Sequence, residues 1–280
     1  MDILLFFSPH FGILNAPLAS NGRIIRHQQK KRSEVMDIWK ELRDEGIDPS
    51  LLEEIQHFRA AHPVPPEAAA RIPVPQCLYY GKEVWESAAA ALLCGQHLLL
   101  AGPKATGKNV LAENLAAVFG RPVWDVSMYV NVDAAALIGA DTLQKGQVVF
   151  REGPICRCAR LGGFGVLDEV NMAKNEALAV LHATLDHRRV IDVPGYERIT
   201  LDDATRFIGT MNYGYAGTRE LNEALVSRFA VLDMPVISDT DLQKLLRRTF
   251  PTLSAKWAEQ FALLFRDLRQ KCDSGEISTK

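Results

Sequence analysis

The residues Gly102, Pro103, Lys104, Ala105, Thr106, Gly107, Lys108, Asn109 and Val110 follow the apolar run His97-Leu98-Leu99-Leu100-Ala101 and lead into Leu111-Ala112-Glu113-Asn114-Leu115. A short apolar strand, a glycine-bounded loop and a helical pattern, in that order, suit a phosphate. Glycines let successive backbone N–H groups turn inward on an anion, the helix adds the positive end of its dipole, and Lys108 supplies a mobile charge. One position departs from this chemistry. The pattern calls for a Ser or Thr hydroxyl after the lysine, to bind Mg²⁺, and the chain has Asn109. A second cluster lies 60 residues beyond Lys108, where Phe164-Gly165-Val166-Leu167 runs into Asp168-Glu169. Adjacent carboxylates at a strand end can divide the work, Asp168 holding Mg²⁺ through water and Glu169 polarising an attacking water.

Positioning these groups takes alternating strands and helices, and the sequence has them. From Gly81 onward we expect a helix over residues 83–93, a strand over 97–101 and a helix with Leu111, Leu115, Val118 and Phe119 on one face. A strand over 122–126, a helix over 131–138, a hairpin over 139–150 turning at Lys145-Gly146 and a short helix over 154–161 come next. After the strand ending at Asp168 we expect a helix over 173–185, a second hairpin over 189–199 turning at Pro194-Gly195, and a strand over 206–211. A helix over 221–227 and a strand over 230–234 complete the series. Repeated strand–helix units predict an α/β fold, a three-layer αβα sandwich around a mostly parallel five-stranded sheet.

The ends read differently. Val35, Ile38, Trp39 and Leu42 have helical spacing, and Ser50 with Glu53 reads as a capping box ahead of Leu52, Ile55 and Phe58. Five of the fourteen prolines fall between His62 and Gln76, which reads as a linker. The expected division is therefore a helical extension over 1–76, a core over 77–236 and a helical lid over 237–280, where Trp257, Phe261, Leu264, Phe265 and Leu268 share a stripe. The apolar cluster Ile3 to Phe7 lacks a basic flank and is broken by Pro9, Gly12 and Pro17, so we expect neither a signal peptide nor membrane insertion. Five cysteines without a C-x-x-C pair fit a reduced, cytoplasmic protein. A formal charge of -2 and a pI near 6.4 give no support to a dominant nucleic-acid surface.

With these residues in place, the chain resembles an AAA+ ATPase of the MoxR type, close to the gas-vesicle and dynein-related branch, over about residues 78–280. The motifs that carry the resemblance are Gly102 to Asn109 as Walker A and Val166-Leu167-Asp168-Glu169 as Walker B. Ile208-Gly209-Thr210-Met211-Asn212 follows as the sensor-1 strand, and Asn222-Glu223-Ala224-Leu225-Val226-Ser227-Arg228-Phe229 as the arginine-finger segment. The resemblance implies ATP and Mg²⁺ as cofactors. It implies that Asn212 contacts the γ-phosphate or the attacking water, and that Arg228 reaches the nucleotide of a neighbouring subunit in trans. Self-assembly into a ring, most often a hexamer, follows from that role, and Lys280 falls where a second sensor would be. The two hairpins would face the ring pore or a client, commonly a protein with a von Willebrand A domain. Read from the residues alone, Asn212 also fits a strand-ending turn, Arg228 a surface salt bridge, and the hairpins ordinary edges.

Three departures bear on mechanism. Asn109 offers an amide oxygen, still a hard ligand, but farther from the backbone and with an NH₂ beside it. Ala105 stands where many relatives have glycine, so its backbone is expected to avoid φ > 0. Lys280 replaces the usual arginine. Two functions follow: an oligomeric remodelling chaperone that hydrolyses ATP slowly, or a nucleotide-binding assembly subunit that hydrolyses little. A ring acting on DNA or RNA is disfavoured by the charge balance.

Overall fold

The computed structural model describes residues 36–193, 195–213 and 220–276. The expected helix start at Ser33, the turn residue Pro194 and the sensor position Lys280 lie outside them. Helix α1 (Ile38–Asp44) is followed by α2 (Pro49–Ala61). The cap of α2 is Asp48, whose carboxylate accepts from Ser50 N–H, with Pro49 at the first helical position; Ser50 itself lies inside the helix. A strap follows, with a 3₁₀ turn at Ala69–Arg71, and then α3 (Lys82–Leu93), β1 (His97–Gly102), α4 (Lys108–Phe119) and β2 (Val123–Ser127). The chain continues through α5 (Ala134–Ile138), the hairpin β3 (Gly139–Gln144) and β4 (Gln147–Glu152), α6 (Pro154–Arg160) and β5 (Phe164–Asp168). The helix expected over 173–185 is in three pieces, α7 (Asn175–Leu178), a 3₁₀ turn Ala179–Leu181 and α8 (His182–Leu185), all burying the expected leucines. The short second hairpin is β6 (Val190–Ile191) with β7 (Ile199–Thr200). It is followed by β8 (Arg206–Asn212), α9 (Glu223–Val226) and β9 (Phe229–Asp233).

Five strands form one sheet in the order β2-β5-β8-β1-β9, each neighbour parallel to the next. The fold is the expected α/β one with a five-stranded parallel sheet. Parallel strands lie between helices, which is why β1 reads as an unbroken apolar run and is buried along its whole length. At its first residue, His97 Nδ1 accepts Phe207 N–H at 3.0 Å, and burial, with Arg189 and Arg206 nearby, pushes the imidazole down to about 3. This histidine is a neutral structural acceptor. Gly102 pairs with Asn212, and Ala101 with both Met211 and Asp233, so the loops leaving β1, β8 and β9 emerge together. At such carboxyl ends of parallel strands, ligands bind.

Residues Ile38–Ile237 form one compact unit, which spans the position of the boundary expected after residue 76. The proline-rich strap is not a linker but part of the packing. Ala68 is buried in the main core, and Arg71 lies over the Trp124 ring at 4.9 Å while donating to Val123 O. Buried Arg121 donates to His62 O at 2.6 Å. Beyond the strap, Phe58 meets Phe119 edge-on at 5.3 Å and Arg59 donates to Val118 O, which fastens α2 to α4. The described part of a second unit covers residues 238–276, with helices α10 (Asp239–Thr249) and α11 (Ala255–Asp273), capped by Ser238 and Ser254. Among the described residues no helix is long and apolar enough to cross a membrane.

Candidate functional site

The loop after β1 is built by close backbone approach. A side chain at Gly102 would bring its Cβ within 2.7 Å of Met234 O, and Gly107 takes φ +83 as the residue before α4. Ala105 takes φ +61. The expectation that alanine would keep this backbone out of the left-handed region is corrected: the turn requires that conformation, and alanine bears a strain of about 1–2 kcal/mol that glycine would not. Lys108 is buried at the mouth of the loop. Its ammonium donates to Pro103 O at 2.7 Å, Gly102 O at 3.1 Å and Thr106 Oγ1 at 3.3 Å. Burial lowers its pKa to about 8, against the opposing charges of Asp168 and Glu169.

Those carboxylates are organised by β8. Thr210, buried and two residues before Asn212 on the same face, donates its hydroxyl to Asp168 Oδ1 at 2.7 Å and accepts Glu169 N–H at 3.0 Å. Asn212 Nδ2 donates to Glu169 Oε1 at 3.2 Å. Glu169 itself has φ +57, an uncommon conformation for a residue with a side chain, of the kind that over-determined surroundings sustain. Buried Asn171 donates to Asn212 O at 3.0 Å, while its Oδ1 has no hydrogen-bond partner among the described residues. Sequence reasoning singled out neither Thr210 nor Asn171 for a role; alternation along β8 would have pointed to the first.

Asn109 is exposed on the first turn of α4. With Asp168 it lines a cavity of about 500 Å³ that Glu113, Asp125, Ser127 and Arg71 also border. Burial raises the Glu113 carboxyl, with Asp125 adding to it; burial also raises Asp125, with Asp168 adding and Arg71 opposing. Among the described residues no group of three or more His, Cys, Asp or Glu side chains is placed to hold a metal ion. The donors at hand, an amide oxygen and one carboxylate, fit Mg²⁺, which keeps most of its water and is commonly shared with phosphate oxygens. The other flank of the loop is closed by the end of the strap. Asn114, fully buried in α4, accepts Tyr79 N–H at 2.8 Å and donates to Cys77 O at 2.9 Å, which sets the Tyr79 ring against Gly107. Lys108, Asp168, Glu169 and Asn212 are thus brought together. Arg228 is tied to His182 O, Ala224 O and Asp186 instead.

The pattern of the AAA domain, dynein-related subfamily, matches residues 97–229, from the first residue of β1 to the first of β9. An uncharacterized protein of Staphylococcus haemolyticus is 34% identical over 203 residues, a stretch covering 70% of this chain and 77% of the relative. The chain belongs to the dynein-related AAA domains. YojN, an uncharacterized protein of Bacillus subtilis, is 37% identical over 193 residues, 67% of this chain and 64% of its own length. Among solved structures, one from Cytophaga hutchinsonii, assigned but not shown to be an ATPase, superposes with a TM-score of 0.52 at 17% identity. It covers 80% of this chain and 66% of that one, and the likeness is one of fold. The chain therefore spans just under two thirds of both the Bacillus relative and the solved Cytophaga chain.

Proposed function

We propose that this AAA domain binds ATP with Mg²⁺ in the loop from Gly102 to Val110 and hydrolyses it, as a MoxR-type protein that assembles with copies of itself and remodels a partner protein. The observation that carries the reading is the convergence of Lys108, Asp168, Glu169 and Asn212 at the ends of three adjacent parallel strands. On this reading the loop N–H groups and the Lys108 ammonium hold the phosphates, the ammonium exchanging its carbonyl acceptors for phosphate oxygens. Asp168 and Asn109 hold Mg²⁺, which when bound would neutralise charge on the β- and γ-phosphate oxygens. Glu169 accepts a proton from the attacking water, and Asn212, through its bond to Glu169, orients that carboxylate. Arg228 serves the neighbouring protomer's site, and the ring is a hexamer. The β3–β4 hairpin, whose paired Leu143 and Val148 are exposed, faces a client, such as a von Willebrand A domain protein.

Asn109 favours a second reading, a nucleotide-binding assembly subunit with little hydrolysis. Steady-state turnover separates the two. We expect Glu169→Gln to lower turnover by about 10²–10⁴-fold while leaving nucleotide binding in place, and Asn109→Thr to raise it about tenfold or more. Turnover in the wild type that Glu169→Gln does not change would remove Glu169 as the base. A wild type with no turnover that Asn109→Thr does not awaken would leave the assembly reading standing.

A further inference from the structure

Arg228 is held by its own protomer where α8 and α9 meet. Nε donates to His182 O at 3.1 Å, Nη1 to Ala224 O, and Nη2 to Asp186 Oδ2 at 3.4 Å. The side chain is 23% exposed. Asp186 has a closer partner: Arg188 donates Nη2 to Oδ2 at 2.6 Å, Nε to Oδ1 at 3.0 Å, and its backbone N–H to Oδ1 at 3.0 Å. These bonds hold the Asp186 carboxyl far below the usual carboxylate range. One carboxylate is therefore shared by two guanidinium groups, through a short two-point contact with Arg188 and a long single contact with Arg228.

An arginine with all three nitrogens engaged cannot extend to another chain until those bonds open. The bond to Asp186 is the charge-assisted one, and at 3.4 Å it is a weak example. Opening it strands no charge. A half-buried carboxylate that lost its only cation would carry a desolvation penalty, but Arg188 stays in place. We propose that Asp186 and Arg188 are positioning residues for Arg228: Asp186 retains it in its own protomer, and Arg188 weakens that hold by competing for the same carboxylate. The pair thereby sets how readily Arg228 is presented to a neighbouring nucleotide, and the inference rests on the reading of Arg228 as acting in trans. Arg188 lies two residues before β6, so a displacement of the β6–β7 hairpin pulls directly on the clasp.

The test is the sign of three variants in a steady-state ATPase assay of the full chain, at saturating ATP and Mg²⁺ and limiting protein concentration. Asp186→Asn, which removes the charge, raises turnover about two- to fivefold, the scale of breaking one partly exposed ion pair. Arg188→Ala lowers it by a similar factor, because Asp186 then has Arg228 to itself. The double variant behaves like Asp186→Asn, Asp186→Glu restores wild-type turnover, and KM for ATP is unchanged throughout. A cluster with a merely structural role would lower turnover and melting temperature in all three charge-removing variants, and that result overturns the proposal. Should Asp186→Asn fold poorly, Arg188→Ala decides alone: unchanged or faster turnover overturns it. Arg228→Ala in the same series keeps the two ideas apart. If it abolishes turnover while the Asp186 and Arg188 variants do nothing, the clasp alone falls; if it changes nothing, or the wild type shows no turnover, the underlying reading fails and takes the clasp with it.

Discussion

Lys108 turns its ammonium onto three acceptors of its own loop, which a triphosphate would replace. Because burial lowers its pKa to about 8, the free loop starts to give up the proton at mildly alkaline pH. The sign follows directly. A phosphate chain favours the ammonium and raises its pKa, so above pH 8 binding must take up a proton, while below it none is needed. The terminal phosphate, with a second pKa of about 6, is already ionised throughout this range. We expect nucleotide affinity to be flat from pH 7 to about 8 and then to fall toward tenfold per pH unit. Titration of a fluorescent ATP analogue without Mg²⁺ measures it, and a profile still flat at pH 9.5 would show that the loop does not depress Lys108. Residues of this kind were legible in the sequence because their identity and spacing are the signal. Asn171 and Asp186 were not, because their roles lie in hydrogen bonds between segments about 40 residues apart; for Thr210 the alternation along β8 offered the position but not its bond to Asp168.

The succession of strands and helices, the parallel sheet and the two hairpins could be read from alternating apolar runs and turn residues, since each is a local pattern repeated along the chain, whereas the order β2-β5-β8-β1-β9 could not. The strap over residues 62–81 could not. Its prolines forbid regular structure, which reads as a linker, but what fixes it comes from other elements: Arg121 on His62 O, Trp124 under Arg71, and Asn114 on Cys77 and Tyr79. Helix boundaries were also blurred where capping decided them, as at Asp48. The strap's dependence on α4 makes a prediction. Asn114→Ala removes the acceptor of Tyr79 N–H and the donor to Cys77 O inside a fully buried site, which costs about 1–3 kcal/mol of stability. It also releases the Tyr79 ring from Gly107, so nucleotide affinity falls with stability. Chemical denaturation read alongside nucleotide titration checks both; a destabilised variant with wild-type affinity would mean that the strap braces the fold but not the loop.

At the scale of the whole molecule the question is whether one protomer contains a complete site. Lys108, Asp168, Glu169 and Asn212 are gathered within it, while Arg228 is engaged by α8 and Asp186, so on the proposed function the adjacent protomer of a ring supplies what each site lacks. A head-to-tail interface of that sort places the finger of one copy against the loop of the next. Mixing two inactive variants exposes it. Glu169→Gln keeps its finger but loses its base, and Arg228→Ala keeps its base but loses its finger. If the finger acts in trans, an equimolar mixture regains activity at interfaces where an Arg228→Ala site faces a Glu169→Gln finger, roughly a quarter of all interfaces under random assembly into a closed ring. If the arginine serves its own site, each variant stays inactive in any mixture, because no protomer then holds both groups. Recovery should vanish on dilution below the assembly concentration, since the restored sites exist only between copies.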